Sequence, residues 1–213
     1  MLVYDKAELY GGHSLKSSTE ARIWLIRLMR VIGGLARGRR ILAPRGRMTR
    51  PTSDYLREVL FNLLAQQVEG RTFLDLYAGT GAVGIEALSR GAATAVFVEH
   101  DRSALTMLYR NLDTSGFRDR AQVVSMEVLR YLRRAVCGSQ RFDLIFLDPP
   151  YLHADAEAVI GLIASMELLA PTGTAILERS TKVAPIHVPD GLALIREVRH
   201  GDAALQLYRR EVM

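Results

Sequence analysis

Four consecutive residues, Asp148-Pro149-Pro150-Tyr151, bring together groups able to handle a planar ring that bears an exocyclic amine. The two prolines remove two backbone donors and stiffen the turn. What remains are acceptors, the Asp148 carboxylate and the Pro149 carbonyl, with the Tyr151 ring as a flat face beside them. An exocyclic amine is a poor nucleophile because its lone pair is delocalised into the ring. Two acceptors that grip both N–H bonds favour a pyramidal nitrogen, whose lone pair can then be aimed at an electrophilic carbon. Read alone, the same tetrapeptide is also a proline-stiffened loop with a surface tyrosine.

A second constellation lies upstream, from Phe73 to Gly84. The apolar run Phe73 to Tyr77 reads as a buried strand, Gly79, Gly81 and Gly84 follow, and a helical pattern begins. Glycines there let the backbone turn sharply and approach a ligand, and the helix points its amide end at the same spot. The spacing G-x-G-x-x-G is shared with dinucleotide-binding proteins. Asp75 weighs against a dinucleotide: a carboxylate at the strand's end would repel a pyrophosphate and would suit the cationic amino-acid portion of S-adenosylmethionine (SAM). Glu99 ends the next apolar run, where an acid can take both ribose hydroxyls. Nicotinamide-binding proteins use an acid there too, so Glu99 does not separate the two cofactors.

These residues need strands and helices in alternation to place them. Leu56, Val59, Leu60, Leu63 and Leu64 recur at helical spacing after Thr49-Arg-Pro-Thr-Ser-Asp54, which is rich in helix-starting groups. Strands are expected at 95–99, 121–125, 142–147 and 173–178. Helices are expected from the glycine turn to Arg90, around Leu105–Leu112 with Gly116 as C-cap, around Leu129–Val136, and over 156–166. The tail reads as two strands, 192–200 and 203–210, joined by Gly201-Asp202, a hairpin link. The expected fold is α/β: a mostly parallel sheet with one antiparallel strand inserted near an edge, preceded by a small hairpin at 30–32 and 40–42. The division expected is 1–28 as an extension, 29–50 as a basic arm and 51–213 as the main domain.

Charge is distributed unevenly. Arg30, Arg37, Arg39, Arg40, Arg45, Arg47 and Arg50 fall within 29–50, which holds no acid, so this stretch carries +7 in a chain of net +5. The rest from Pro51 onward is net negative. Such an arm is the electrostatic footprint of nucleic-acid binding, although charge runs are often only solvated faces. With one cysteine, Cys137, the chain can form no internal disulfide and no cysteine-based zinc site. No stretch is long and apolar enough to span a bilayer. A cytoplasmic monomer is expected, with residues 1–28 dispensable.

The motifs together resemble the SAM-dependent amino-methyltransferases, whose hallmark is [Asp/Asn/Ser]-Pro-Pro-[Tyr/Phe/Trp]. More closely, the chain from about Met29 onward resembles the RsmD family, bacterial 16S ribosomal RNA guanine-N2 methyltransferases. The resemblance is carried by Arg30-Val-Ile-Gly-Gly34, Arg50-Pro-Thr-Ser-Asp54 with Arg57-Glu58 and Phe61-Asn62, Asp75-Leu-Tyr-Ala-Gly-Thr-Gly81, Asp148-Pro-Pro-Tyr151 and Gly201-Asp202. It implies a Rossmann-like class I methyltransferase fold with seven strands, helices on both faces, and an RNA-contacting N-terminal extension. It implies SAM held over Asp75, Tyr77, Ala78, Gly79, Thr80 and Gly81, with Glu99 on the ribose and Glu127 near the adenine. The family usually has a small residue and Asp where this chain has Met126-Glu127. Asp148, Pro149 and Tyr151 would carry catalysis without a metal. The implied partner is 16S rRNA in the small ribosomal subunit or its assembly intermediate. Other acceptors (adenine N6, a protein amide), a nicotinamide dehydrogenase and a non-catalytic rRNA-binding assembly factor remain as alternatives.

Overall fold

The structure, a computed structural model, describes residues 26–44, 54–135, 140–149 and 153–211. Ile26–Arg30 (β1) and Arg40–Pro44 (β2) pair antiparallel, Met29 opposite Ile41 and Arg30 opposite Arg40. The first strand therefore begins at Ile26 and ends at Arg30, earlier than the 30–32 expected from sequence. The loop explains the difference. Val31 N–H donates to Arg39 O at 2.9 Å, and Gly38 N–H donates to Val31 O at 2.8 Å, so the residues between them close as a turn. β1 thus reaches back into the segment read as an extension, of which residues 1–25 lie outside the described residues.

The main sheet is built from Thr72–Leu76 (β3), Thr94–Glu99 (β4), Ala121–Ser125 (β5), Phe142–Leu147 (β6), Leu169–Ser180 (β7), Leu192–His200 (β8) and Ala203–Arg210 (β9). Its order is β5-β4-β3-β6-β7-β9-β8. β3 pairs in parallel with β4 and with β6, while β9 runs antiparallel between β7 and β8. The expected α/β class, seven strands and inserted antiparallel strand are all observed. The chain winds outward from β3 through β4 to β5, then returns to add β6 on the other side of β3. That switch between β3 and β6 opens a crevice at the carboxyl ends of the strands.

The helices are Asp54–Leu64 (α1), Ala82–Ser89 (α2), Arg102–Ser115 (α3), Val128–Ala135 (α4) and His153–Ser165 (α5). Strand alternation sends side chains to two cores. Phe73, Phe97 and Phe146 pack with Leu60, Ile85 and Leu108 from α1, α2 and α3. Leu74, Val96 and Ile145 pack with Leu132 and Ile160 from α4 and α5 on the other face. Asp75 shares its parity with Phe73 and so points toward α2. Asp101 caps α3 by accepting from Ala104 N–H at 2.8 Å, and Gly116 ends it at φ +76° as expected.

The hairpin is not a loose appendage. Met29, Val31, Ala36, Ile41 and Ala43 are buried in the same core as α1, α2 and α3. The Glu86 side chain, fully buried on α2, accepts from Ile32 N–H and Gly33 N–H, both at 2.8 Å, and from Arg90 Nε at 2.7 Å. Ser89 Oγ accepts from Ala36 N–H at 2.9 Å and donates to Gly33 O at 2.6 Å. Arg57, also fully buried, donates to Arg30 O at 2.6 Å and pairs with Asp54 and Glu86. A Cβ on Gly34 would sit 1.8 Å from Ser89 O, so only glycine lets the arm come this close.

Candidate functional site

At the end of β3 the backbone takes three left-handed residues in five, Tyr77 at φ +63°, Gly79 at +55° and Gly81 at +82°. For a bulky residue such as Tyr77 this is an outlier that the surroundings must enforce, and such strain gathers at functional sites. Ala78 N–H holds the turn to Val98 O at 3.0 Å, and Gly81 N–H closes it on Ala78 O at 2.8 Å. The three glycines are not equivalent. A Cβ on Gly81 would lie 2.3 Å from Leu108 Cδ1, and one on Gly84 would lie 2.3 Å from a Phe97 ring carbon, so Gly81 lets the turn pack against α3 and Gly84 lets α2 pack on β4. A Cβ on Gly79 meets nothing within 4 Å. Gly79 is therefore the one whose bare backbone faces the open crevice, where a cofactor's chain would pass.

The two acids read as cofactor ligands hold this turn in place. Asp75 is buried, and its Oδ2 accepts from Gly84 N–H at 2.9 Å, tying the strand to the first turn of α2. Glu99 Oε2 accepts from Gly79 N–H at 2.8 Å, while Oε1 accepts from His100 N–H and Asp101 N–H at 2.7 and 2.8 Å. The Asp75 carboxylate and Glu99 Oε2 keep lone-pair capacity beyond these bonds, whereas Glu99 Oε1 already accepts two. Burial, less strongly the nearby Glu99 charge, and against them the Gly84 bond leave the Asp75 carboxyl pushed up to about 7.

Asp148 follows β6 directly. Its register neighbour across the sheet is Glu178, since Leu147 pairs with Leu177. Loss of solvation, then the charges of Glu178 and Asp75, push the Asp148 carboxyl well above the usual carboxylate range. The Tyr77 hydroxyl is pushed up to about 12, first by burial and then by Asp155 and Glu127. Asp75, Asp148, Glu178, Tyr77, Asp155 and Glu127 thus share one acidic end of the sheet. Glu127 itself is exposed between β5 and α4. Ala78, Thr80 and Pro149 lie at the same strand ends, whereas Tyr151 lies outside the described residues.

A family described as conserved hypothetical protein 95 matches residues 29–209. The chain belongs to it. A relative from Escherichia coli (strain K12), ribosomal RNA small subunit methyltransferase D, is 37% identical over 86% of this chain and 90% of its own. A second of the same name, from Haemophilus influenzae, is 34% identical over 85% of this chain and 93% of its own. The solved structure of YhhF from Escherichia coli superposes with a TM-score of 0.76 at 34% identity, covering 87% of this chain and 99% of that one. The resemblance to the RsmD family drawn from the motifs is borne out.

In this family member the arm's Arg30, Arg37, Arg39 and Arg40 are exposed, and Arg39 spends one N–H on Thr114 O at 2.8 Å. Arg45, Arg47 and Arg50 fall outside the described residues. Sequence reasoning missed Glu86, Asn111 and Glu178. A signal for Glu86 existed: it is the single charge in the otherwise apolar Ala82-Val-Gly-Ile-Glu-Ala-Leu88, and a buried charge needs partners. Among the described residues no helix is long and apolar enough to cross a membrane.

The raised Asp75 carboxyl has a consequence for stability. Below about pH 4 the group is protonated in both folded and unfolded chains. Between there and about 7 the unfolded chain has released a proton that the folded chain keeps, so rising pH favours unfolding and the contribution is gone above about 7. The ligand-free protein should therefore lose on the order of a few kcal/mol from this group between pH 4 and 8. Asp75→Asn, which keeps an oxygen for Gly84 N–H, should flatten that part of a Tm-against-pH curve. An identical curve for the variant would place the titration elsewhere.

Proposed function

We propose that this protein transfers a methyl group from SAM to the exocyclic N2 of a guanine in 16S ribosomal RNA, within the small subunit or its assembly intermediate. The observation that carries the reading is Asp148 with Pro149 at the end of β6, beside the glycine turn and close to the charges of Glu178 and the buried Asp75. The curated relatives' names add rRNA of the small subunit as the substrate class. The site fits the cofactor: Gly79 opens on the crevice, Glu99 Oε2 keeps an acceptor site for a ribose hydroxyl, and the acidic strand ends favour a cation. When bound, SAM would supply a methyl carbon already activated by its sulfonium.

The protein's share is alignment and proton handling. Asp148 and the Pro149 carbonyl would hold the two N–H bonds of the amine and leave its lone pair free to react. An amine nitrogen that has received the methyl group would carry positive charge and become strongly acidic. Asp148 takes the proton, and its raised affinity for protons suits it to that task. Tyr151 stacks the base, which must be unpaired or flipped out to reach the pocket.

An acidic pocket repels RNA, so the arm supplies the attraction. Arg30→Ala with Arg37→Ala should weaken binding of small-subunit particles and reduce the log–log salt slope by roughly 0.7 to 0.9 for each phosphate that is no longer neutralised. SAM affinity should be unchanged. Parallel salt lines with equal intercepts would make the arm a solvated face only. The function itself is tested by incubating the protein with labelled SAM and small subunits lacking the modification, then mapping the labelled nucleoside. Label in N2-methylguanine supports the reading. Label in adenine or protein would move the acceptor, and no label would leave an assembly factor.

A further inference from the structure

Asn111, on α3, is buried at 1% exposure and belongs to no motif. Its amide makes three hydrogen bonds to two distant segments. Oδ1 accepts from Leu42 N–H at 2.8 Å, and Nδ2 donates to Leu42 O at 3.0 Å and to Thr80 O at 2.9 Å. The amide orientation follows from the partners, since a backbone N–H requires the oxygen and two carbonyls require the nitrogen. Leu42 is in β2, two residues from the exposed Arg40. Thr80 stands between Gly79 and Gly81 in the turn at the crevice. One buried side chain therefore links the strand that carries the arginines to the loop that faces the cofactor. Neither an aspartate, with no donor, nor an apolar residue could make this set.

We propose that Asn111 is a positioning residue that makes RNA binding by the arm and cofactor binding by the glycine turn mutually reinforcing. The inference rests on the function proposed above. Ordering Thr80 around the cofactor fixes the carbonyl that Nδ2 addresses, which fixes the amide, which fixes both polar groups of Leu42. By linkage the effect runs equally in the other direction. A purely structural Asn111 would support the fold without making either ligand sense the other.

The test uses S-adenosylhomocysteine, which carries no methyl to transfer, and small ribosomal subunits lacking the modification. Calorimetry measures the affinity for S-adenosylhomocysteine with and without saturating small subunits, in the wild-type chain and in Asn111→Ala. The expected ratio is fivefold or more for wild type, the lower end of common couplings, and near one for the variant. A wild-type ratio near or below one overturns the proposal, as does a folded variant that keeps the wild-type ratio. The variant leaves three backbone groups unpaired and could fail to fold, so a second readout uses the wild-type chain alone. Hydrogen exchange at the Leu42 amide should slow at least severalfold when S-adenosylhomocysteine is added without RNA. Unchanged exchange there, with the ligand demonstrably bound, overturns the proposal as well. Failure of either ligand to bind by itself would count against the proposed function instead, so the two failures are separable.

Discussion

Replacing Asp148 by asparagine is expected to lower kcat by about 10²- to 10⁴-fold, the range for losing a positioned proton acceptor, while changing SAM affinity by less than about threefold. Asparagine keeps one acceptor oxygen but turns an N–H toward an amine that is itself a donor, and it cannot take the proton. The loss should appear in kcat and in kcat/KM alike, as for an interaction made mainly in the transition state. The wild-type rate should also fall with acidity, because a protonated Asp148 cannot take the proton. That fall should begin at a higher pH than an ordinary carboxylate would give, since burial, Glu178 and Asp75 raise its proton affinity. Single-turnover rates across pH for both proteins make the check. A variant retaining most of the wild-type rate would remove Asp148 from the chemistry.

The second large effect concerns the glycine turn, where two substitutions should fail for different reasons. Gly81→Val puts a β-branched residue at φ +82° with its Cβ 2.3 Å from Leu108 Cδ1 and 3.3 Å from Ile85 Cδ1. The left-handed backbone costs about 1–2 kcal/mol and the overpacking about 1–3 more. A domain has only about 5–15 kcal/mol in total, so Tm should fall sharply. Gly79→Ala bears only the backbone cost, because its Cβ meets nothing within 4 Å. That variant should fold with a modestly lowered Tm and lose SAM affinity at least tenfold. Thermal melts and calorimetry on both separate the cases. Undiminished SAM binding by the folded Gly79→Ala protein would mean the cofactor does not pass there.

Much of the fold was legible because its signals are local. The run Phe73–Tyr77 with its glycines marks a strand, a turn and a helix within a dozen residues, and Gly201-Asp202 between two apolar runs marks the β8–β9 hairpin. Gly116 could be read as a helix end from its position alone. The boundaries of β1 could not, because they depend on how residues 31–39 close on themselves. Nor could the work of Asp75 and Glu99 be divided. Both were read as facing a ligand, yet both are bonded to the turn's own amides, since a carboxylate at a strand end and an adjacent N–H look the same in sequence whatever occupies the crevice. Asn111 was hidden for a plainer reason. A polar residue in an amphipathic helix carries no mark of the partners that its burial demands.

The hairpin shares its core with α1, α2 and α3, and Glu86 and Ser89 fasten it to the same helix whose start Asp75 fixes. A tethered arm would sample many directions and let any nearby guanine reach the pocket. This one has a fixed bearing. Under the function proposed above, an RNA gripped by Arg30 and Arg37 would be held at a set span from Asp148, and the molecule would work as a ruler laid along its substrate. Selection by span does not require reading bases near the target. It requires only that the phosphates and the base be folded at the right separation, and a shape of that kind exists only once the RNA has acquired its own structure.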